Sequence, residues 1–445
     1  MTTSAPELAP APAVSAGRRR LLPLVALLGA HAVSLTGNML MLIALPLYVL
    51  SSTGSASVTG LAGACVTVPM VLGGLLGGVV VDRLGYRRAS VLADLSSGLV
   101  IVLVPLAGHT VGLPLWALLG LVFVSGLLDS PGQNARISLL PEVAAAAGVP
   151  VERAVGWFEA AERGARLAGA PVAGLLVVAI GALNVLALDA VTFLVSAGLL
   201  VLLVPGKAVV SGETASDERV PAGPEARGYW AQLREGLAFT AADPLLRAVV
   251  LLVVVTNLFD AGFANVLLPI YAQRELGGAV AFGLLVGAMG GGALAGSLVF
   301  GLIGPRLPRR ITFVIAFTLA GGPFYLALAA GLPLPVLVGG KLLAGFCAGA
   351  VNPIIGLVML ERIPAGLRAR VFGLVNAGCF AGMPLGALLA GFAIDRAGLR
   401  LTLLVVGVIY LGCTLSPLRG GPWRLLDPAD RVARLVAEAS SPPQA

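Results

Sequence analysis

Charge is what this chain of 445 residues has least of. Only 11% of its residues are Asp, Glu, Lys or Arg, against roughly 25% in soluble domains, so a water-facing surface cannot be assembled from it. Histidine is nearly absent. His31 and His109 are the only two, which excludes a histidine-rich centre, and with no other metal-ligand spacing neither metal nor cofactor is expected. The four cysteines, Cys65, Cys347, Cys379 and Cys413, sit inside apolar runs and read as packing thiols rather than a disulfide framework. Aromatic residues make up 6%, which leaves few stacking anchors for a ligand. No nucleophile–base constellation marks an enzyme. No Gly-rich loop ending in Lys and Ser/Thr could cradle a phosphate, so direct drive by a nucleotide is excluded too.

What is present is apolar length. Hydrophobic residues form 58% of the chain, and its mean hydropathy is +0.97. The net charge of +7 does not point to nucleic acid, because the basic residues stand in short clusters between apolar runs rather than on one face. A membrane-spanning helix needs about 20 mostly apolar residues. Twelve such runs can be drawn, at 21–48, 56–81, 89–108, 112–135, 155–179, 182–204, 245–270, 280–302, 311–330, 333–357, 371–392 and 398–416. The Pro- and Ala-rich start, 1–20, is expected to be disordered. The run after Arg18–Arg20 exceeds the core of a cleavable signal, about 7–15 residues, so it reads as a retained first span. The longest polar segment, 205–244, divides the spans six and six, and its "GYWAQLREGLAFTAADPLLR" suits an amphipathic surface helix. The organisation expected is an N-tail (1–20), a six-helix bundle (21–204), a linker (205–244), a second bundle (245–416) and a C-tail (417–445).

Orientation follows from arginine. One set of loops holds Arg18–Arg20, Arg83/Arg87/Arg88, Arg136/Arg153, the linker, Arg306/Arg309/Arg310 and Arg362/Arg368/Arg370; the opposite set holds Arg274, Arg396 and Arg400. Positive loops stay inside, so a multi-pass protein of the cell's inner membrane with both termini in the cytoplasm is expected. An internal repeat runs through the halves. Pro46 and Pro269 differ by 223, as do Gly73 and Gly296, Gly78 and Gly301, Arg83 and Arg306, and Arg87 and Arg310. Two related bundles with termini on one side are a known transporter plan.

"GGVVVDRLGYRR", between spans two and three, carries Gly78, Asp82, Arg83, Gly85, Arg87 and Arg88. In this position the pattern resembles the loop motif of the major facilitator superfamily. "ALPLYVLSSTGSAS", "NARISLLPEV", "GAPVAGLL", "LDAVTFLVSA" and "ARVFGLVNA" are similar to its drug and siderophore exporters of the macrolide-efflux and enterobactin-exporter type. The resemblance implies an all-α membrane fold of twelve helices in two pseudo-symmetric six-helix bundles. It also implies a cavity lined by spans one, four, seven and ten, and a conformational latch in which Asp82 meets the helix beginning near Val371. The exporter pattern of span five survives as Ala170, Pro171 and Gly174.

Ionisable groups inside a bilayer are functional candidates by default. At about 1.5 Å per residue, His31 and Asp129 both lie roughly 12–16 Å from the arginine-rich boundary, and Asp260 and Lys341 equally far from the other. Each pair could meet within its half, so Asp129 with His31, or Asp260 with Lys341, is expected to carry a coupled proton. Arg166 reaches deepest of a ladder with Glu159, Glu162 and Arg163, and Asp129 is its possible contact. Asn38, Asn257 and Asn265 are candidate cavity groups. The function expected is a secondary transporter that exports small amphipathic molecules against protons. An importer or facilitator is the alternative, and a non-transporting receptor a remote one. The partners expected are the small-molecule substrate, protons and the lipid bilayer, without nucleic acid, and a monomer is expected.

Overall fold

In hydrocarbon the backbone has no water to bond, so a long apolar run must satisfy its own amides and carbonyls, and a helix does this within one segment. The computed structural model describes residues 15–110, 112–205, 229–364, 371, 375 and 378–426. Among them are 12 helical spans long and apolar enough to cross a membrane, and no strand. The first six are Leu21–Thr53, Ala56–Gly73 (within the helix Ala56–Leu84), Tyr86–Thr110, Leu115–Ala147, Val151–Ile180 and Ala182–Leu203. The second six are Pro244–Glu275, Ala279–Ile303, Arg309–Ala329, Leu334–Arg362, Gly378–Ala397 and Leu399–Arg419. A short helix, Tyr229–Ala242, leads into span seven. The surroundings of Gly78, the Asp82 side chain, residues 1–14, the linker 206–228, most of the segment 365–377 and residues 427–445 lie outside the described residues; so, therefore, does the expected contact of Asp82 with the helix near Val371. The expected N-tail and C-tail are both shorter than read from sequence: the first helix already begins at Ser15, and short helical turns continue to Leu426.

Local chemistry sets the ends that matter here. Gly85, at φ 77°, turns the chain out of the second span while its amide closes on the Val81 carbonyl at 2.9 Å; a side chain at that φ would be strained. Asp243 caps span seven by accepting from the amides of Leu245 and Leu246, with Pro244 pre-set at the first helical position. Span seven then contains a π-turn, Phe263–Leu267, immediately before Pro269. Proline lacks the N–H that would bond the carbonyl four residues back, and the wider turn absorbs that defect.

The repeat read from sequence has physical counterparts in each half. Arg87 donates to the carbonyls of Leu200 and Val201 at the end of span six. Arg310, its repeat partner, donates to Pro417 and Leu418 at the end of span twelve. Both guanidinium groups sit where a helix presents unpaired carbonyls and negative dipole. Gly73 and Gly296 are likewise matched: a Cβ on Gly73 would stand 2.0 Å from the Cβ of Ser130 in span four, and one on Gly296 1.9 Å from the Phe346 carbonyl oxygen in span ten. Small residues let helices approach in lipid, where no hydrophobic drive favours their contact.

Two seams join the halves. Span five meets span eight: a Cβ on Gly174 would lie 2.4 Å from the Ala279 carbonyl oxygen, and one on Gly283 2.4 Å from that of Ala170. Pro171 packs against Gly287 in the same seam, so Ala170, Pro171 and Gly174 all fall on it. Span two meets span eleven through Gly60, Gly63 and Gly391.

One sequence reading is corrected. Span four runs to Ala147 rather than ending at 135, so Arg136 is not a loop residue but is fully buried in the first half. The apolar count stops at Arg136, whereas the helix continues because Asp94 supplies a counter-charge.

Candidate functional site

Arg136 organises a polar cluster drawn from spans one, three, four and six. Its Nη1 donates to both Asp94 oxygens, at 2.9 and 3.0 Å, and lies 3.3 Å from the Ser196 hydroxyl. Its Nη2 donates to the Ser34 hydroxyl at 3.1 Å and stands 3.7 Å from Asp129 Oδ1. Ser196 donates in turn to Asp94 at 2.6 Å. Ser34, Asp94, Arg136 and Ser196 are wholly buried and Asp129 is 6% exposed. Buried charges persist only when paired and hydrogen-bonded. Here two carboxylates share one guanidinium, so with all three ionised the set holds one excess negative charge, which one proton would balance.

Asp129 is where this cluster reaches a cavity of about 560 Å³ between the halves. Its Oδ2 accepts from Gln133 at 2.6 Å and from Asn38 at 3.3 Å. The apolar walls are built from Leu35, Met39, Met41, Leu42, Leu45, Val66, Met70, Val122 and Phe380. Asn38, Asn134, Asn265 and Arg166 add polar groups. Asn265 stands there because the π-turn places it so, its amide held by the Ala261 carbonyl at 2.9 Å. A mostly apolar concavity with a few convergent polar groups suits an amphipathic ligand, and thioether side chains adapt to varied shapes.

The structure brings some of the sequence candidates to this cavity and holds others elsewhere. Asn38, Asn265, Arg166 and Asp129 line the cavity. Asn257 does not; its amide ties span seven to span eleven through the Cys379 carbonyl at 3.0 Å. The lining comes from spans one, two, four, five, seven and eleven, with nothing from span ten among the described residues. His31 does not meet Asp129. It is 4% exposed, stacks on Phe158 with centroids 3.7 Å apart, and neither ring nitrogen has a hydrogen-bond partner. Depth counted along a helix says nothing of the direction in which the helix faces. Arg166 pairs with Glu162 at 2.9 Å rather than with Asp129.

In the second half, Lys341 is 8% exposed and lies over the rings of Phe263 and Phe324, 4.3 and 4.6 Å from their centroids. Asp260 accepts from the Tyr410 hydroxyl at 3.5 Å. The two charges act on one another electrostatically, yet no ion pair within 4.0 Å joins them among the described residues. Neither lines the cavity. Sequence reasoning missed Asp94 and Arg136 altogether, although an Asp within a run and an Arg at the edge of another were visible signals. Asp189 is fully buried with neither carboxylate oxygen hydrogen-bonded, its side chain against Gly37 of span one.

The sequence profile of the Major Facilitator Superfamily matches residues 27–252 and again 250–439. The chain belongs to that superfamily. It is a transporter, not an enzyme, and the second match falls on the second half of the internal repeat. Among characterised relatives, the multidrug efflux pump Tap of Mycobacterium tuberculosis (strain ATCC 25618 / H37Rv) is 30% identical over 413 residues, covering 92% of this chain and 96% of the relative. Macrolide efflux protein A of Streptococcus pyogenes is 24% identical over 396 residues, 86% of this chain and 91% of that one. Of solved structures, the nucleoside transporter NupG superposes with a TM-score of 0.66 at 13% identity, over 91% of this chain and 98% of that one. At that identity the likeness speaks for the fold alone. The resemblance drawn from "DRLGYRR" and the span-five residues therefore led to the right family, and this superfamily transporter carries its principal buried charge cluster in its first half.

Proposed function

We propose that this transporter exports small amphipathic molecules from the cell by alternating access, driven by protons that enter through Asp129. The observation that carries the reading is the position of Asp129: it faces the cavity on one side and shares Arg136 with Asp94 on the other. A proton on Asp129 cancels its attraction for Arg136 and leaves the guanidinium to Asp94. That redistribution loosens span four against span one at the point where Asn38 is held, so proton loading and cavity shape are coupled. The relatives named as multidrug and macrolide efflux proteins support export and substrates of mixed polar and apolar character. The cavity's single acidic group and single exposed-side arginine compel neither a cation nor an anion.

The arginine-rich loops support an orientation in which that end, and both termini, face the cytoplasm of an inner-membrane protein. A cysteine introduced by Arg88→Cys, at an exposed position beyond span two, should be labelled by a membrane-impermeant reagent in everted vesicles and not in intact cells. Labelling in intact cells alone would reverse the orientation, and export would become import.

Everted vesicles with an imposed pH gradient, given a panel of amphipathic compounds, test the coupling. The expected outcome is accumulation of substrate with collapse of the gradient in the parent protein. Asp129→Asn should lose gradient-driven accumulation by about a hundredfold, the loss expected of a group essential to a coupled step, while still binding substrate. Asp260→Asn, whose carboxylate stands outside the cavity, should retain it. Undiminished proton movement in both variants would remove proton coupling by either carboxylate; loss in Asp260→Asn alone would move the coupling site to the second half.

A further inference from the structure

The contacts between the halves converge on an acidic residue that the coupling chemistry above does not use. Asp395 lies in the last turn of span eleven, Gly378–Ala397, at the arginine-poor end. An anion there opposes the negative end of its own helix dipole. What favours it comes from the other half. The helix Ala56–Leu84 begins opposite, and Asp395 accepts from the amide of Ala56 at 3.3 Å and from the amide of Ser57 at 2.9 Å. The hydroxyls of Ser57 and Ser55 donate to the same carboxylate. Four donors from the first half thus meet one acceptor from the second. Two of them are backbone amides of a first helical turn, which no intrahelical carbonyl can serve.

The approach that makes this possible is written in glycine. A Cβ on Gly391 would stand 2.5 Å from the Ala56 carbonyl oxygen, and one on Gly60 2.5 Å from that of Ala387. The two helices run in opposite directions. In the sequence Asp82 falls in the last turn of the helix Ala56–Leu84, at the arginine-rich end, and Asp395 in the last turn of span eleven, at the other.

We propose that Asp395 is a gating residue that holds the arginine-poor end shut, an inference that rests on the alternating-access reading above. Opening that end requires spans two and eleven to part between Ala56 and Gly391. The carboxylate then exchanges four fixed donors for water, and the exposed amides of the first turn lose their acceptor. Asp395 consequently sets the ratio of the two access states and leaves the cavity walls unchanged, since it touches none of the cavity's lining residues. A charge-assisted contact of this kind at a partly hydrated site corresponds to a shift of about fivefold in that ratio.

Pulsed electron–electron distance measurement in nanodiscs tests the proposal, with spin labels at Ser51→Cys in the first half and Leu332→Cys in the second, in a background where the four native cysteines are replaced. The parent protein should show mainly the short distance across the arginine-poor end. Asp395→Asn should raise the long-distance fraction about fivefold, and Ser57→Ala by a smaller amount. Gly391→Leu, which leaves every hydrogen-bonding group in place but wedges the same helices, should raise it as well. An unchanged distribution in Asp395→Asn overturns the proposal. Should that variant not fold, an unchanged distribution in Ser57→Ala does so instead. The distances are read without substrate or gradient, so failure of export in the parent protein would sink the efflux reading and leave the latch separately decided.

Discussion

Arg136→Ala is expected to abolish transport and to destabilise the first half by about 3–5 kcal/mol, the range for removing one member of a buried ion pair. The loss is large because the guanidinium serves four partners at once: Asp94, Asp129, Ser34 and Ser196. Its removal leaves two carboxylates facing each other in a low-dielectric interior with no cation between them. Arg136→Lys should recover little, because a point charge on a flexible stem cannot reproduce a planar fork that bonds Asp94 with one nitrogen and Ser34 with the other. Combining Arg136→Gln with Asp94→Asn should be milder than Arg136→Gln alone, since the double change removes a charge together with its counter-charge. Thermal unfolding of the purified protein in detergent, run across this cycle, checks each step. A double variant as damaged as the single would show that the cluster does not act as an ionic unit.

Gly296→Leu is expected to unfold the second half. The crossing of spans eight and ten has no room: a Cβ at Gly296 would lie 1.9 Å from the Phe346 carbonyl oxygen, at Gly292 2.0 Å from that of Leu342, and at Gly345 2.1 Å from that of Met289. These neighbours are backbone atoms of rigid helices, so no rotamer change relieves the clash. Even Gly296→Ala should cost about 3 kcal/mol, the upper part of the range for overpacking. Gly301→Ala, in the same helix with nothing within 4 Å of the added carbon, is the control. It should be neutral or slightly stabilising, because alanine loses less backbone entropy than glycine on forming a helix. Monodispersity and unfolding temperature distinguish the outcomes; equal behaviour of Gly296→Ala and Gly301→Ala would mean that the crossing is looser than these distances state.

The two cases differ in how far they can be read from a chain. The glycines of span eight are visible as a small-residue face, and the repeat pairs Gly296 with Gly73 before any coordinates are known. Gly291 shows the limit of that reading. It belongs to the same glycine cluster, yet it faces Leu167 across the seam with span five rather than span ten. Arg136 shows the opposite failure. The run of apolar residues ends at Arg136, so this residue was placed in a loop although its helix continues for about three further turns to Ala147.

By itself the sequence determined everything that depends on composition and period. With so little charge the chain has to be solvated by lipid, and a dozen apolar runs in lipid have to be helices. The repeated spacing from Pro46 to Arg87 relates the two halves of the chain, which the superfamily profile matches one after the other. The sequence also delivered the family through "DRLGYRR". Only the tertiary structure decided which of those charges meet. A helix rotated by one residue turns its side chains about 100°, which separates His31 from Asp129 and brings Asp94, from another span, onto Arg136. Depth along a helix is a matter of counting, but azimuth is set by the packing of all the neighbours at once, and no single segment of the chain contains it.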